Sequence, residues 1–228
     1  MPDFQFHTER LVMLALLTPS QAVAERLVLA ANSETLRTCA LRSSMVFGPG
    51  DLQVIPPIHN CIGAYQTPFV IGSGTNLYDF TYVTNVADAH VLAIENLLGS
   101  KLARTRNSAQ PSGSAAGEAF FITNGEPVPF RAFCLAVWKE FGHIPKFEVR
   151  IPQSLAWYAG IAAEVVSWTT GKELGISRGA VKDACLTRYA NLEKARTVLG
   201  YRPRVSLEDG IRQACEVRVF EPLMYIVS

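Results

Sequence analysis

The chain has 228 residues, 49% of them apolar, enough to bury a sizeable core in one domain with at most a small added lobe. Its 21 Lys and Arg stand against 20 Asp and Glu with no basic stripe, which argues against nucleic acid as a partner. Cys39, Cys61, Cys134, Cys185 and Cys215, like His7, His59, His90 and His143, are scattered without disulfide or zinc spacing, so they read as free thiols in a reducing compartment with no metal implied.

Residues 1–19 read as an irregular or mis-encoded amino terminus. The apolar run Leu11–Leu17 and the small residues Ala22-Val23-Ala24 imitate a signal peptide, but Asp3 and Glu9 spoil the positive leader and the run is short. From Ser20 to Asn32, Val23, Ala24, Leu27, Val28 and Ala31 recur at helical spacing opposite Glu25 and Arg26, which predicts an amphipathic helix packed on a sheet. Cys39–Leu41 reads as a short strand buried on both sides. Gly48, Pro49 and Gly50 then force a turn, so the strand should end in a loop at the carboxyl edge, where open α/β sheets bind ligands.

Pro56 and Pro57 suit the first turn of a helix striped by Ile58, Cys61 and Ile62. Gly72-Ser73-Gly74, between the strand-like runs Phe69–Ile71 and Asp79–Tyr82, reads as a hairpin turn. Val86, Ala89, His90, Ala93, Ile94 and Leu97 form one helical face, which makes His90 a packed, hydrogen-bonded core histidine rather than a base. Residues 99–117 turn to Ser, Ala, Gly and Arg and predict a flexible surface loop, with Lys101, Arg104 and Arg106 as local positive charge.

Ala119–Thr123 returns as a buried strand, Asn124-Gly125 turns it, and a helix from Pro129 follows with Phe130, Phe133, Val137, Trp138 and Phe141 on one side. Ser154–Thr170 is the most apolar helix; it is short for a membrane span and holds Glu164, so its aromatics should line a pocket or lie in a membrane interface. In the tail, Gly200 should close one helix and Ser206 cap the next, with Asp209 three residues on.

Several of these stretches, in this order, resemble the extended short-chain dehydrogenases, specifically the 3β-hydroxysteroid dehydrogenase group that includes the sterol-4α-carboxylate 3-dehydrogenases. Gln21–Asn32 is similar to that family's catalytic helix, and Leu41-Arg42 with Phe47–Asp51 to its strand and glycine-proline loop, although Ser43 replaces the usual proline. Asp79–Val83 with Asn85–His90, and Lys194–Ile211, match two further family segments.

The resemblance implies an α/β fold: a partial doubly wound Rossmann-type parallel sheet with a small mixed substrate-binding lobe, residues 20–228 being the carboxyl-terminal part of such an enzyme. It implies NAD or NADP as cofactor, near Ser43, Ser44 and Met45, and a small apolar sterol-like or terpenoid substrate near Phe47, Asp79 and Tyr82. The family's tyrosine and lysine, however, fall on Leu17 and Gln21. Leucine has no proton to give, and glutamine no charge with which to lower a phenol's pKa.

None of Tyr65, Tyr78, Tyr82, Tyr158, Tyr189 and Tyr201 has a lysine four residues on, and nothing before Ser20 supplies a strand, a Gly-x-x-Gly-x-x-Gly turn and a helix. Two readings follow. One is an oxidoreductase that oxidises the 3β-hydroxyl of a steroid, sterol carboxylate or related terpenoid with NAD(P). The other is an inactive fragment or pseudoenzyme that binds an apolar ligand or a partner chain. A cytoplasmic location, peripheral contact with the endoplasmic reticulum membrane through 154–170, and an oligomer are further expectations of the resemblance.

Overall fold

The computed structural model of the chain describes residues 19–99, 113–170 and 178–216. Leu17, Lys101, Arg104 and Arg106 lie outside them, as does most of the expected loop over 99–117. The first half runs α1 (Pro19–Ala30), β1 (Ala40–Ser43), β2 (Met45–Phe47), α2 (Ile55–Gly63), β3 (Phe69–Ile71), β4 (Leu77–Tyr78), β5 (Phe80–Tyr82) and α3 (Val83–Leu98). The second runs β6 (Ala119–Ile122), β7 (Val128–Pro129), α4 (Phe130–Glu140), β8 (Val149–Ile151), α5 (Gln153–Thr170), α6 (Arg178–Cys185), a π-helical turn (Ala195–Leu199) and α7 (Leu207–Glu216). The described residues gather in two compact units, the first drawn from Met1–Val46, Asp79–Glu126 and Ala190–Leu207, the second from Phe47–Tyr78, Pro127–Tyr189 and Glu208–Ser228.

In the first unit β1 lies parallel to β6, in a register that runs from Ala40 beside Ala119 to Ser43 beside Ile122. The next strand, β2, pairs with β5. Burial alternates along β6, with Phe120 and Ile122 turned inward, as a pleated strand requires. The core collects these two with Ala89 and Ala93 of α3 and with Leu192, Ala195, Leu199 and Tyr201 from the tail. Small alanines on α3 let that helix come close to the strands. Gly200 closes the π-helical turn in the left-handed region, as the sequence requires.

Three expectations change here. β1 is half-buried rather than covered on both sides, because among the described residues it pairs with β6 alone. In α1 the predicted apolar face is exposed, at 45% for Val23 and 66% for Leu27. The half-buried positions are Ala22, Glu25 and Leu29, and Glu25 is bound to Arg42 of β1 by a two-point ion pair. An ionic tether, not the apolar stripe, therefore sets the rotation of α1 against β1. His90 is exposed; its Nδ1 lies 2.8 Å from the Val86 carbonyl of its own helix. The buried stripe of α3 is Asn85, Ala89 and Ala93, one position round from the predicted face.

In the second unit β3 pairs in parallel with β8, Phe69 beside Val149, while β4 and β7 form a short antiparallel pair. The hairpin expected at Gly72-Ser73-Gly74 does not form, since the strand before the turn pairs with β8, Ile71 lying beside Ile151, and not with the strand that follows. Both glycines do take positive φ, +72° and +69°, so the turn itself is present. α2 starts with Pro56 and Pro57 in its first turn and buries Ile55 and Ile58. It meets α4, whose buried face is Phe133, Cys134, Val137 and Trp138. Burial of each such side chain contributes roughly 1.5–3 kcal/mol. The Trp138 indole N–H donates to the Ile58 carbonyl at 2.7 Å, which fixes the ring on α2.

Candidate functional site

At the carboxyl edge of β1, Ser43 is exposed and Ser44 half-buried. The Ser44 hydroxyl donates to the Asp79 carbonyl at 2.6 Å and its N–H to the Ile122 carbonyl at 3.4 Å, so the chain leaving β1 is tied to the residue before β5 and to β6. Met45 follows, half-buried, at the start of β2. Asp79 is 1% exposed. Its Oδ2 accepts the Ala190 N–H at 2.8 Å, and its Oδ1 has no hydrogen bond among the described residues. Burial pushes this carboxyl above the usual carboxylate range, against smaller opposing pulls from the Ala190 N–H and the Thr123 hydroxyl.

Tyr82 is buried too, and desolvation pushes its phenol up. What fixes this corner is an amide network that no sequence motif announced. Asn124 Oδ1 accepts from the Tyr82 N–H at 3.0 Å and from Asn85 Nδ2 at 2.9 Å. Asn85 Oδ1 accepts the N–H groups of Arg204 and Val205, and both asparagines donate to the Val205 carbonyl. Ser44 and Asp79 are thus joined in the first unit, where the Ser44 hydroxyl and one Asp79 oxygen hold strands and tail, and Tyr82 is anchored there through its backbone N–H.

In the second unit, Gly48-Pro49-Gly50 links β2 to the segment before α2. A glycine loop opening onto a helix is a shape that cradles phosphate. Here that end is already occupied: the Asp51 carboxylate accepts the N–H groups of Gln53, Val54 and Ile55 at 2.7–3.1 Å. The described residues therefore do not fit the pyrophosphate of a dinucleotide at this loop. Phe47, expected near substrate, is 1% exposed and packs edge-on against Phe133 with ring centroids 5.3 Å apart.

The second unit also holds a partly open cavity of about 530 Å³, at a place that no motif marks. Its walls are mainly Phe69, Val70, Ile71, Phe130, Trp138 and Ile151, so β3, β8 and α4 build it. Cys61 and Cys134 add neutral thiols; burial pushes Cys134 up to about 12. The polar side chains at the wall are Gln66, Asn76 and Arg131. Such a space is of the size that holds a small organic molecule, and its lining selects an apolar one. Among the described residues no group of three His, Cys, Asp or Glu converges as a metal site.

The model of the 3-beta hydroxysteroid dehydrogenase/isomerase family matches residues 7–153. The decarboxylating sterol-4-alpha-carboxylate 3-dehydrogenase of Schizosaccharomyces pombe is 42% identical over 194 residues, covering 85% of this chain and 54% of that protein. The enzyme of the same name from Saccharomyces cerevisiae is 44% identical over 196 residues, with 85% and 54% covered. The chain thus spans about half the length of these relatives. Among solved structures, dTDP-glucose 4,6-dehydratase from Bacillus anthracis in complex with NAD superposes with a TM-score of 0.55 at 16% identity, over 88% of this chain and 52% of that one. That likeness shows a Rossmann-type α/β fold.

Proposed function

The chain belongs to the 3-beta hydroxysteroid dehydrogenase/isomerase family, and from that premise we propose that it carries the substrate-holding side of an oxidoreductase acting on the 3β-hydroxyl of a sterol carboxylate or related terpenoid. The observation that carries this reading is the identity of 42–44% with two sterol-4-alpha-carboxylate 3-dehydrogenases across 85% of the chain. A partly open, mainly apolar cavity beside one cation supports the same substrate class. NAD or NADP, when bound, would supply the hydride acceptor; the loop Gly48-Pro49-Gly50 does not offer a phosphate cradle, because Asp51 fills the helix end after it.

A second reading is favoured by the catalytic slots. Gln21 is exposed on α1 and carries no charge, and Leu17 stands where the family has its phenol. A chain so equipped binds the sterol acid without exchanging a proton at its carbinol oxygen. Exposed Leu155 and Tyr158 on α5, 61% and 69% accessible, support peripheral contact of that helix with a membrane, which suits a cytoplasmic protein working at the endoplasmic reticulum surface. Among the described residues no helix is long and apolar enough to cross a membrane.

The deciding experiment offers the purified chain NAD or NADP and a 3β-hydroxy-4α-carboxysterol, then follows reduced dinucleotide by absorbance and the steroid by mass spectrometry. Ketone with reduced dinucleotide establishes the oxidoreductase. Bound sterol without either product decides for the ligand-binding pseudoenzyme. A chain that neither binds nor converts the sterol overturns both.

A further inference from the structure

We infer that the cavity of the second unit binds an amphipathic monocarboxylate, an apolar body ending in one acid group, with Arg131 receiving the carboxylate. The inference rests on the sterol reading above only for the choice of probe; the site itself is read from the charges and walls around Arg131. Five of the walls, Phe69, Ile71, Phe130, Trp138 and Ile151, offer no hydrogen bond within an apolar space, except for an indole N–H that the Ile58 carbonyl already accepts at 2.7 Å. The guanidinium carbon of Arg131 sits 4.9 Å from the centroid of that immobilised ring. A cation held over one fixed aromatic face, in a side chain only 12% exposed, is positioned before any ligand arrives.

Its charge is incompletely matched. Glu148 Oε2 lies 3.6 Å from Arg131 Nε, beyond hydrogen-bond distance, while the other oxygen of Glu148 accepts from Arg150 Nε at 2.9 Å. Two guanidiniums share one carboxylate, and the one with the good geometry is Arg150, on the solvent side at 68% exposure. Arg131 Nε is buried with no hydrogen-bond acceptor among the described residues. A buried cation in that condition is costly, and a charge-assisted bond to an incoming anion relieves the cost.

A single cation and apolar walls suit one carboxylate. They do not suit a phosphate, whose second charge would meet no second cation among the described lining residues, only the neutral amides of Gln66 and Asn76. A fused-ring acid and a fatty acid share the required chemistry, and the test separates them.

The full chain, without dinucleotide, is titrated with 3β-hydroxy-5-cholenoate, with palmitate and with the methyl ester of each, following tryptophan fluorescence. At least one acid should bind ten times or more tighter than its ester, and the tighter acid names the source, fused-ring or acyl. Arg131→Gln should abolish that ratio while leaving ester affinity in place. Cys61→Trp, which fills the cavity from α2, should weaken acid and ester together by tenfold or more. Equal affinity for acid and ester in the unaltered chain, an acid preference that survives Arg131→Gln, or no binding of either acid overturns the proposal. Should Arg131→Gln not fold, as judged by circular dichroism, the acid-to-ester ratio and the Cys61→Trp loss still decide it. Neither measurement involves turnover, so a failed oxidation assay and a failed binding assay are separate results.

Discussion

Asn85 on α3 and Asn124 after β6 share a buried amide-to-amide hydrogen bond of 2.9 Å, and together they bind the tail at Arg204 and Val205 to the strands of the first unit. Every polar atom of both side chains has a partner, which is what makes burial of two amides tolerable. Asn85→Ala strips acceptors from two backbone N–H groups at once and should cost about 2–4 kcal/mol. Asn85→Asp keeps those acceptors but loses both donors, so it should also destabilise. Urea denaturation of the two variants checks this, and a loss below about 1 kcal/mol for Asn85→Ala would show the network to be dispensable.

The tie between Glu25 and Arg42 is a two-point pair, Nε to Oε2 at 2.8 Å and Nη2 to Oε1 at 2.5 Å. Hydrogen bonding to Arg42 holds the Glu25 carboxyl below its ordinary value of 4.5. A depressed carboxylate contributes stability above the unfolded value, and that contribution is lost as pH falls through the folded one. Glu25→Gln should therefore lower stability by about 1 kcal/mol at pH 7, discounted for partial exposure, and by progressively less as pH drops below 4.5. Denaturation midpoints at pH 7 and pH 3 test it, and an undiminished gap at pH 3 would refute the ion-pair origin.

Asp79 carries the opposite sign. Burial raises its carboxyl above the ordinary value of 3.8, so the folded state holds the proton more tightly than the unfolded one. Stability from this group is full below 3.8 and falls as pH rises towards the folded value. Asp79→Asn removes the titration and keeps an oxygen for the Ala190 N–H. The variant should gain on the parent protein steadily as pH rises from 3.8, with a plateau once the native carboxyl is ionised. A pH-independent difference between the two proteins would show that Asp79 does not titrate as its burial requires.

Much of this fold was legible because local chemistry and tertiary packing agree. Pro56 and Pro57 open α2, Gly200 ends the π-helical turn, and Phe133, Val137 and Trp138 share the inner face of α4, as spacing alone indicated. The misreadings share one cause. A Gly-Ser-Gly turn has the same local requirement whether the next strand pairs back or leaves, so nothing in Gly72–Gly74 told that β3 would pair with β8.

Counting apolar residues on α3 put His90 and Ile94 inward, whereas a polar residue, Asn85, shares the buried stripe with Ala89 and Ala93 because its partners sit about 40 and 120 positions away in sequence. The cavity and Arg131 left no signal at all. A guanidinium at the second position of α4 looks like any solvated arginine until the fold places it over Trp138.

Cys134 and Cys61 both reach the cavity wall, one from α4 and the other from α2. Burial pushes the Cys134 thiol up to about 12, with the neighbouring Cys61 adding to the rise, whereas Cys61 is half-buried and donates its thiol hydrogen to the Pro57 carbonyl at 3.3 Å. Only the thiolate attacks an alkylating agent, so a thiol pushed this far up by burial stays protonated and slow to react at pH 8. Iodoacetamide at pH 8 should leave Cys134 unmodified over hours in the folded chain, modify Cys61 first of the two, and label both once urea unfolds the protein. Peptide mapping by mass spectrometry reads the order. Rapid labelling of Cys134 under native conditions would show that the thiol is not held protonated as its burial between α2 and α4 requires.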